Sequence, residues 1–83
     1  MNETTGQIDL DLTGLKCPLP VLRTRRALRL LRPGQTLSVV CTDPLSAIDI
    51  PHLVREIGDR LEMQDRIGAK LRFVIRRSDS PSR

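Results

Sequence analysis

Apolar residues occupy every second position from Ile8 to Leu12, with Asp9 and Asp11 between them, which is the period of a strand with one face covered. From about Pro18 or Pro20 to Arg32 the period changes. Val21, Thr24, Ala27, Leu28 and Leu31 fall on one arc of a helix, and Arg25, Arg26, Arg29 and Arg32 fall opposite. Prolines fit its first turn, where the amide they lack has no intrahelical partner. Pro33-Gly34 then stops it, with Gly34 suited to the left-handed capping position. Thr36 to Thr42 alternates again, Leu37, Val39 and Cys41 on one side and Ser38, Val40 and Thr42 on the other. A second helix is expected from near Asp43-Pro44, capped by Asp43, with Ile50, Leu53, Val54, Ile57 and Leu61 as its stripe. Pro51 is expected to kink its first turns or to mark where its regular part begins. Leu61 to Ile67 is a weakly patterned strand and Gly68-Ala69 a hairpin turn. In the last strand Leu71, Phe73 and Ile75 point inward between Lys70, Arg72, Val74 and Arg76.

The predicted order is β-α-β-α-β-β. The first crossover should be right-handed and its strands parallel; the closing hairpin is antiparallel. Because the clear strands alternate, only one sheet face is covered by helices. The fold class is therefore α/β, a two-layer sandwich with a four-stranded mixed sheet and two helices on one face. The 83 residues allow one domain, residues 1–83, with its core at about 8–77. Met1 to Gly6 and Ser78 to Arg83 are expected to be frayed or disordered.

Composition narrows the functions. Phe73 is the only aromatic residue besides His52, which removes the stacking platforms on which single-strand nucleic-acid binders rely. The net charge of +4 is unevenly spread: six cations and no acid lie between Lys16 and Arg32. Such a face suits an acidic protein surface or a phosphate backbone. The first fifteen residues have no signal-peptide core and no apolar run spans a bilayer, so a cytoplasmic, reducing compartment without membrane attachment is expected. A lone histidine leaves no Cys/His set for a metal.

Cys17 lies between the carboxyl end of the first strand and the amino end of the first helix. Free amides and the helix dipole favour an anion there, and cysteine thiols become acidic in such places. With Lys16 and the arginines nearby, an activated, accessible thiolate is expected, against the plain reading of a small loop hydrophobe. Cys41, in step with Leu37 and Val39, reads as core, although a resolving thiol for Cys17 is the alternative. Asp43 and Asp49 read as a helix cap and a helix-start charge, and His52 as a surface or partner-facing residue.

The run Leu12-Thr13-Gly14-Leu15-Lys16-Cys17-Pro18-Leu19-Pro20 resembles the signature of the TusA/SirA family of sulfur carriers, a Cys-Pro-x-Pro motif behind a Gly-Leu-x-Cys lead-in. The likeness continues through Arg32-Pro33-Gly34, Thr36-Leu37, Asp43-Pro44, Asp49-Ile50-Pro51 and Phe73-Val74-Ile75-Arg76. It implies a persulfide on Cys17, supported by Pro18, Pro20, Gly14, Asp43 and Asp49, and no cofactor beyond that covalent sulfur. It also implies a cysteine desulfurase or rhodanese-like donor and a sulfur-accepting protein, in tRNA thiolation, molybdenum-cofactor assembly or sulfur oxidation. Many members carry Glu where this chain has Leu19, which changes what docks beside the sulfur. Lys16, Leu19, Arg23, Arg25, Arg26 and Arg29 are the expected docking residues; stable direct nucleic-acid binding is not expected. The rival readings are a two-cysteine redox protein and a basic-helix regulatory or RNA-binding module.

Overall fold

The computed structural model describes residues 7–78. Its elements are β1 (Gln7–Leu12), α1 (Leu19–Arg29), β2 (Thr36–Cys41), α2 (Ser46–Ile57), β3 (Arg60–Ile67) and β4 (Lys70–Arg76). They form one sheet in the order β1-β2-β4-β3. Strands β1 and β2 are parallel, with Leu12 beside Cys41, and β4 runs antiparallel to both β2 and β3. The end expected for Met1 to Gly6 lies outside the described residues, as does the tail from residue 79. Ser78 was expected to be loose, but its amide donates to Asp59 Oδ1 at 3.0 Å.

The alternation read from the sequence gives the inner face. Leu37, Val39 and Cys41 of β2 and Leu71, Phe73 and Ile75 of β4 are buried with Leu12, Leu28, Ile50 and Val54. One helix stripe from each of α1 and α2 closes over this surface, so burial of those stripes, more than helix propensity, holds the helices in place. Leu61, expected both as the end of the α2 stripe and as the start of the next strand, belongs to β3 and packs against the same core.

Two boundaries move, each for a local reason. The first helix ends at Arg29, three residues before the expected Arg32. Pro33 cannot continue it, and the backbone tightens early, Leu30 N–H donating to Ala27 O and Leu31 N–H to Leu28 O. Gly34, at φ 89°, does not cap α1; it follows Pro33 in a turn closed by Gln35 N–H to Arg32 O. The second helix starts at Ser46 rather than at Asp43-Pro44, and its cap position, Leu45, has no side-chain cap bond. Pro51 is inside α2. It lacks the N–H that would bond Ala47 O, and that carbonyl instead accepts Gln64 Nε2 at 3.4 Å. The glycine that ends α2 is Gly58, at φ 84°, with Asp59 N–H reaching back to Val54 O.

The weak pattern in β3 has a physical cause. A bulge between Leu61 and Met63 pairs Leu61 with Ile75 and Met63 with Val74. Residues of the same parity therefore change faces, Leu61 toward the helices and Met63 away from them.

Thr24 is fully buried on α1, and its hydroxyl has no hydrogen-bond partner among the described residues. A buried hydroxyl without a partner is destabilising. Thr24→Val, which keeps the shape and removes the orphaned group, is expected to stabilise the fold by about 1 kcal/mol. A thermal unfolding scan would then show a rise of about 4–8 °C in Tm for a domain of this size.

Candidate active site around Cys17

The parallel pairing of β1 and β2 brings two loops to one sheet edge, the one after Leu12 and the one after Cys41. Leu12 O accepts Leu15 N–H, with Gly14 at φ 85° in the turn; the positive φ suits glycine. Gly14 N–H donates to Thr42 Oγ1 at 2.8 Å, so the first loop is already tied to the second. The Cys17–Pro18 peptide is cis, and Pro18 is the cap residue of α1. Pro20 is buried against the core.

Asp43 does not cap α2. Its Oδ1 accepts Leu45 N–H at 3.1 Å and its Oδ2 accepts Cys17 N–H at 2.5 Å. One carboxylate thereby organises the entry to α2 and fixes the backbone of Cys17. Asp49, in the first turn of α2, places Oδ2 at 3.5 Å from Cys17 Sγ, within range of a thiol donating to a carboxylate. Sequence reasoning gave Asp49 a helix-start charge and missed this contact. The Asp43-Pro44 and Asp49-Ile50-Pro51 motifs were the available signal.

The thiol is exposed but not activated as expected. Its pKa is raised: loss of hydration pushes it up, followed by the hydrogen bond to Asp49 and the negative charges of Asp49 and Asp43. The helix start offers little in return. Pro18 and Pro20 have no N–H, and Leu19 N–H is taken by Lys16 O at 2.8 Å, so of the first four positions only Val21 can present an amide. The thiolate expected at rest is therefore replaced by a neutral thiol beside two carboxylates.

Cys41 is fully buried; burial raises its thiol pKa, the Ser46 hydroxyl lowers it, and Asp43 raises it. His52 is exposed and 3.9 Å from Glu56. No group of three potential ligands that could hold a metal occurs among the described residues, and no described helix is long and apolar enough to cross a membrane.

The expected docking residues separate into groups. Lys16, Leu19, Arg23, Arg26 and Arg29 are exposed. Arg25, expected opposite the buried stripe, flanks α2 instead and lies 3.9 Å from Glu56. Arg32 lies beyond the helix. Exposed apolar side chains occur at both helix starts, Leu19 and Leu22 on α1 and Leu45 and Ile48 where α2 begins. A cleft of about 690 Å³ lined by Pro33, Gly34, Gly58 and Asp59 lies at the opposite end of the strands. Two of its four arginines are bound to carboxylates, Arg76 to Glu62 and Arg77 to Asp59.

Asp43→Ala removes the acceptor of two backbone amides and is expected to cost about 1–3 kcal/mol. Denaturant titration would measure the loss, and amide exchange at Cys17 should accelerate while the β2–β4 amides keep their order of protection.

Comparison with known proteins agrees with this arrangement. Residues 8–77 match the family model described as sulfurtransferase TusA. The chain is 39% identical over 70 residues to the sulfur carrier protein TusA of Allochromatium vinosum, covering 84% of this chain and 92% of that one. The crystal structure of a SirA-like protein from Desulfitobacterium hafniense has the same fold, with a TM-score of 0.73 and 22% identity, over 84% of this chain and 96% of that one. A two-layer sandwich that presents one cysteine where a strand meets a proline-bracketed helix start, matched by these likenesses over nearly its whole length, belongs to the TusA family of sulfur-transfer proteins.

Proposed function

We propose that this protein carries sulfur as a persulfide on Cys17, accepting it from a cysteine desulfurase or rhodanese-like donor and passing it to a second protein. The observation that carries the reading is the contrast between the two cysteines. Cys17 is exposed on a loop held by Asp43, whereas Cys41 is wholly buried. Pro18 and Pro20 stiffen that loop, and Gly14 and Asp43 fasten it, so the sulfur has a defined position for a partner to address.

A persulfide needs no resident cofactor, because the cargo sulfur is held by a covalent bond. The protein acts as a carrier rather than as a stand-alone enzyme, in the cytoplasm. The acceptor belongs to tRNA thiolation, molybdenum-cofactor assembly or sulfur oxidation. Leu19 in place of the common Glu weighs against the acceptor of the tRNA pathway. Docking uses Leu19 and Lys16 beside the thiol and the arginines Arg23, Arg26 and Arg29, with Arg25 at the flank. An acidic partner surface complements them; neither stable direct nucleic-acid binding nor membrane attachment is part of this reading. The burial of Cys41 weighs against a two-cysteine redox cycle.

The test is sulfur loading read by intact mass, with a cysteine desulfurase and cysteine and no reductant. Wild type and Cys41→Ser should each gain one sulfur that reductant removes, and Cys17→Ser should gain none. No gain in wild type, or a gain that depends on Cys41, would sink the reading. Reversing two cations by Arg26→Glu with Arg29→Glu should slow loading by about tenfold at low salt and by less at high salt, since exposed charges act mainly on encounter rate and are screened.

A further inference from the structure

Resting on the carrier reading, we propose that Asp49 decides when Cys17 reacts: its carboxylate holds the thiol in the free protein and releases it when a cationic side chain of the docked sulfur donor takes the carboxylate instead. The geometry is direct, with Oδ2 3.5 Å from Sγ. The charged groups acting on the sulfur are Asp49 from α2 and Asp43 from the loop before it, both negative. Lys16, the neighbouring cation in the chain, is exposed and is not among the groups that move the thiol's ionisation. Asp43 is already committed to Cys17 N–H and Leu45 N–H, which leaves Asp49 as the carboxylate free to change partner.

Docking makes a cation necessary. Leu19, two residues from Cys17, and Leu45 and Ile48, just before Asp49, are exposed apolar side chains, and a partner seated on them excludes water. The field of a carboxylate on a neighbouring sulfur grows several-fold as the effective dielectric falls. A partner that brought only apolar surface would thus hold Cys17 more firmly as a thiol. One that brings a lysine or arginine to Asp49 removes both the hydrogen bond and the charge. Sulfur transfer can then proceed. Cys17 Sγ attacks the outer sulfur of the donor persulfide, and the donor's S–S bond breaks with its electron pair on the donor cysteine. That cysteine takes the proton Cys17 gives up, and there is no net oxidation or reduction.

The effect is testable without any partner. Alkylation of Cys17 by iodoacetamide, read by intact mass, should be faster in Asp49→Asn than in wild type. Loss of the charge and of the hydrogen bond raises the thiolate fraction, partly offset by the weaker nucleophilicity of a more acidic thiol, for a net gain of about threefold near neutral pH. The pH midpoint should fall with it, whereas Asp49→Glu should stay near wild type. Sulfur loading of the same variants then compares inorganic polysulfide with a cysteine desulfurase. Asp49→Asn should load faster from polysulfide and slower from the desulfurase. Unchanged alkylation, or slower loading from both sources as expected of a lost base, would overturn the proposal. Should wild-type Cys17 take sulfur from neither source, the carrier reading fails and the donor's role with it, while the alkylation rates still decide whether Asp49 restrains the thiol.

Discussion

One carboxylate fixes the backbone of Cys17 at the sheet edge. Asp43 accepts the amide of Cys17 with one oxygen and that of Leu45 with the other, joining the loop that bears the sulfur to the turn that begins α2. A charged acceptor makes each of these bonds stronger than a neutral pair. The junction matters because it ties the two loops to each other, beyond the direct packing of α1 on α2 and the approach of Arg25 to Glu56. With it in place, the start of α2 delivers Asp49 to the sulfur. The parallel pairing of β1 and β2 supplies the other half, since only parallel strands finish at one edge and bring both loops together.

This junction also explains why a helix start that looks built for an anion carries a neutral thiol. The dipole argument counts free amides, and here the two prolines and the Lys16 carbonyl remove three of the four. What remains is outweighed by loss of hydration and by two nearby acids. The same prolines that stiffen the loop strip it of the donors that would have activated the sulfur. Positive charge is present in quantity on α1, but none of it is among the groups that act on the ionisation of Cys17. The surface around the sulfur therefore has two signs, arginine on one helix and aspartate at the start of the other, and charge patterns of this kind orient whatever binds them.

Much of this was legible in the sequence. Alternation in β2 and β4 identified the inner face residue by residue, because a strand's period is fixed by its pleat, and the stripe of α1 identified its buried side. Cys17 and its motif were equally plain. What escaped were relations across the chain. That Asp43 would serve a residue 26 positions earlier cannot be read from a motif that looks like a local cap. The pairing of Asp49 with the sulfur depends on where two loops end after folding. Arg25 left the exposed set because α2 brought Glu56 alongside it. The pattern of β3 failed for a geometric reason, a single extra residue that reverses parity partway along.

That extra residue has a consequence for how the molecule behaves in company. Strand β3 is an edge of the sheet, and a straight edge offers its row of unpaired amides and carbonyls to any other extended chain. The bulge at Leu61 and Met63 interrupts the row, and Arg60, Glu62 and Arg66 line the strand with charge. A second copy laying a strand along it meets the bulge and has to desolvate these charges. The irregularity that blurred the sequence pattern thus guards against edge-to-edge aggregation, in a protein whose work depends on leaving one partner for the next.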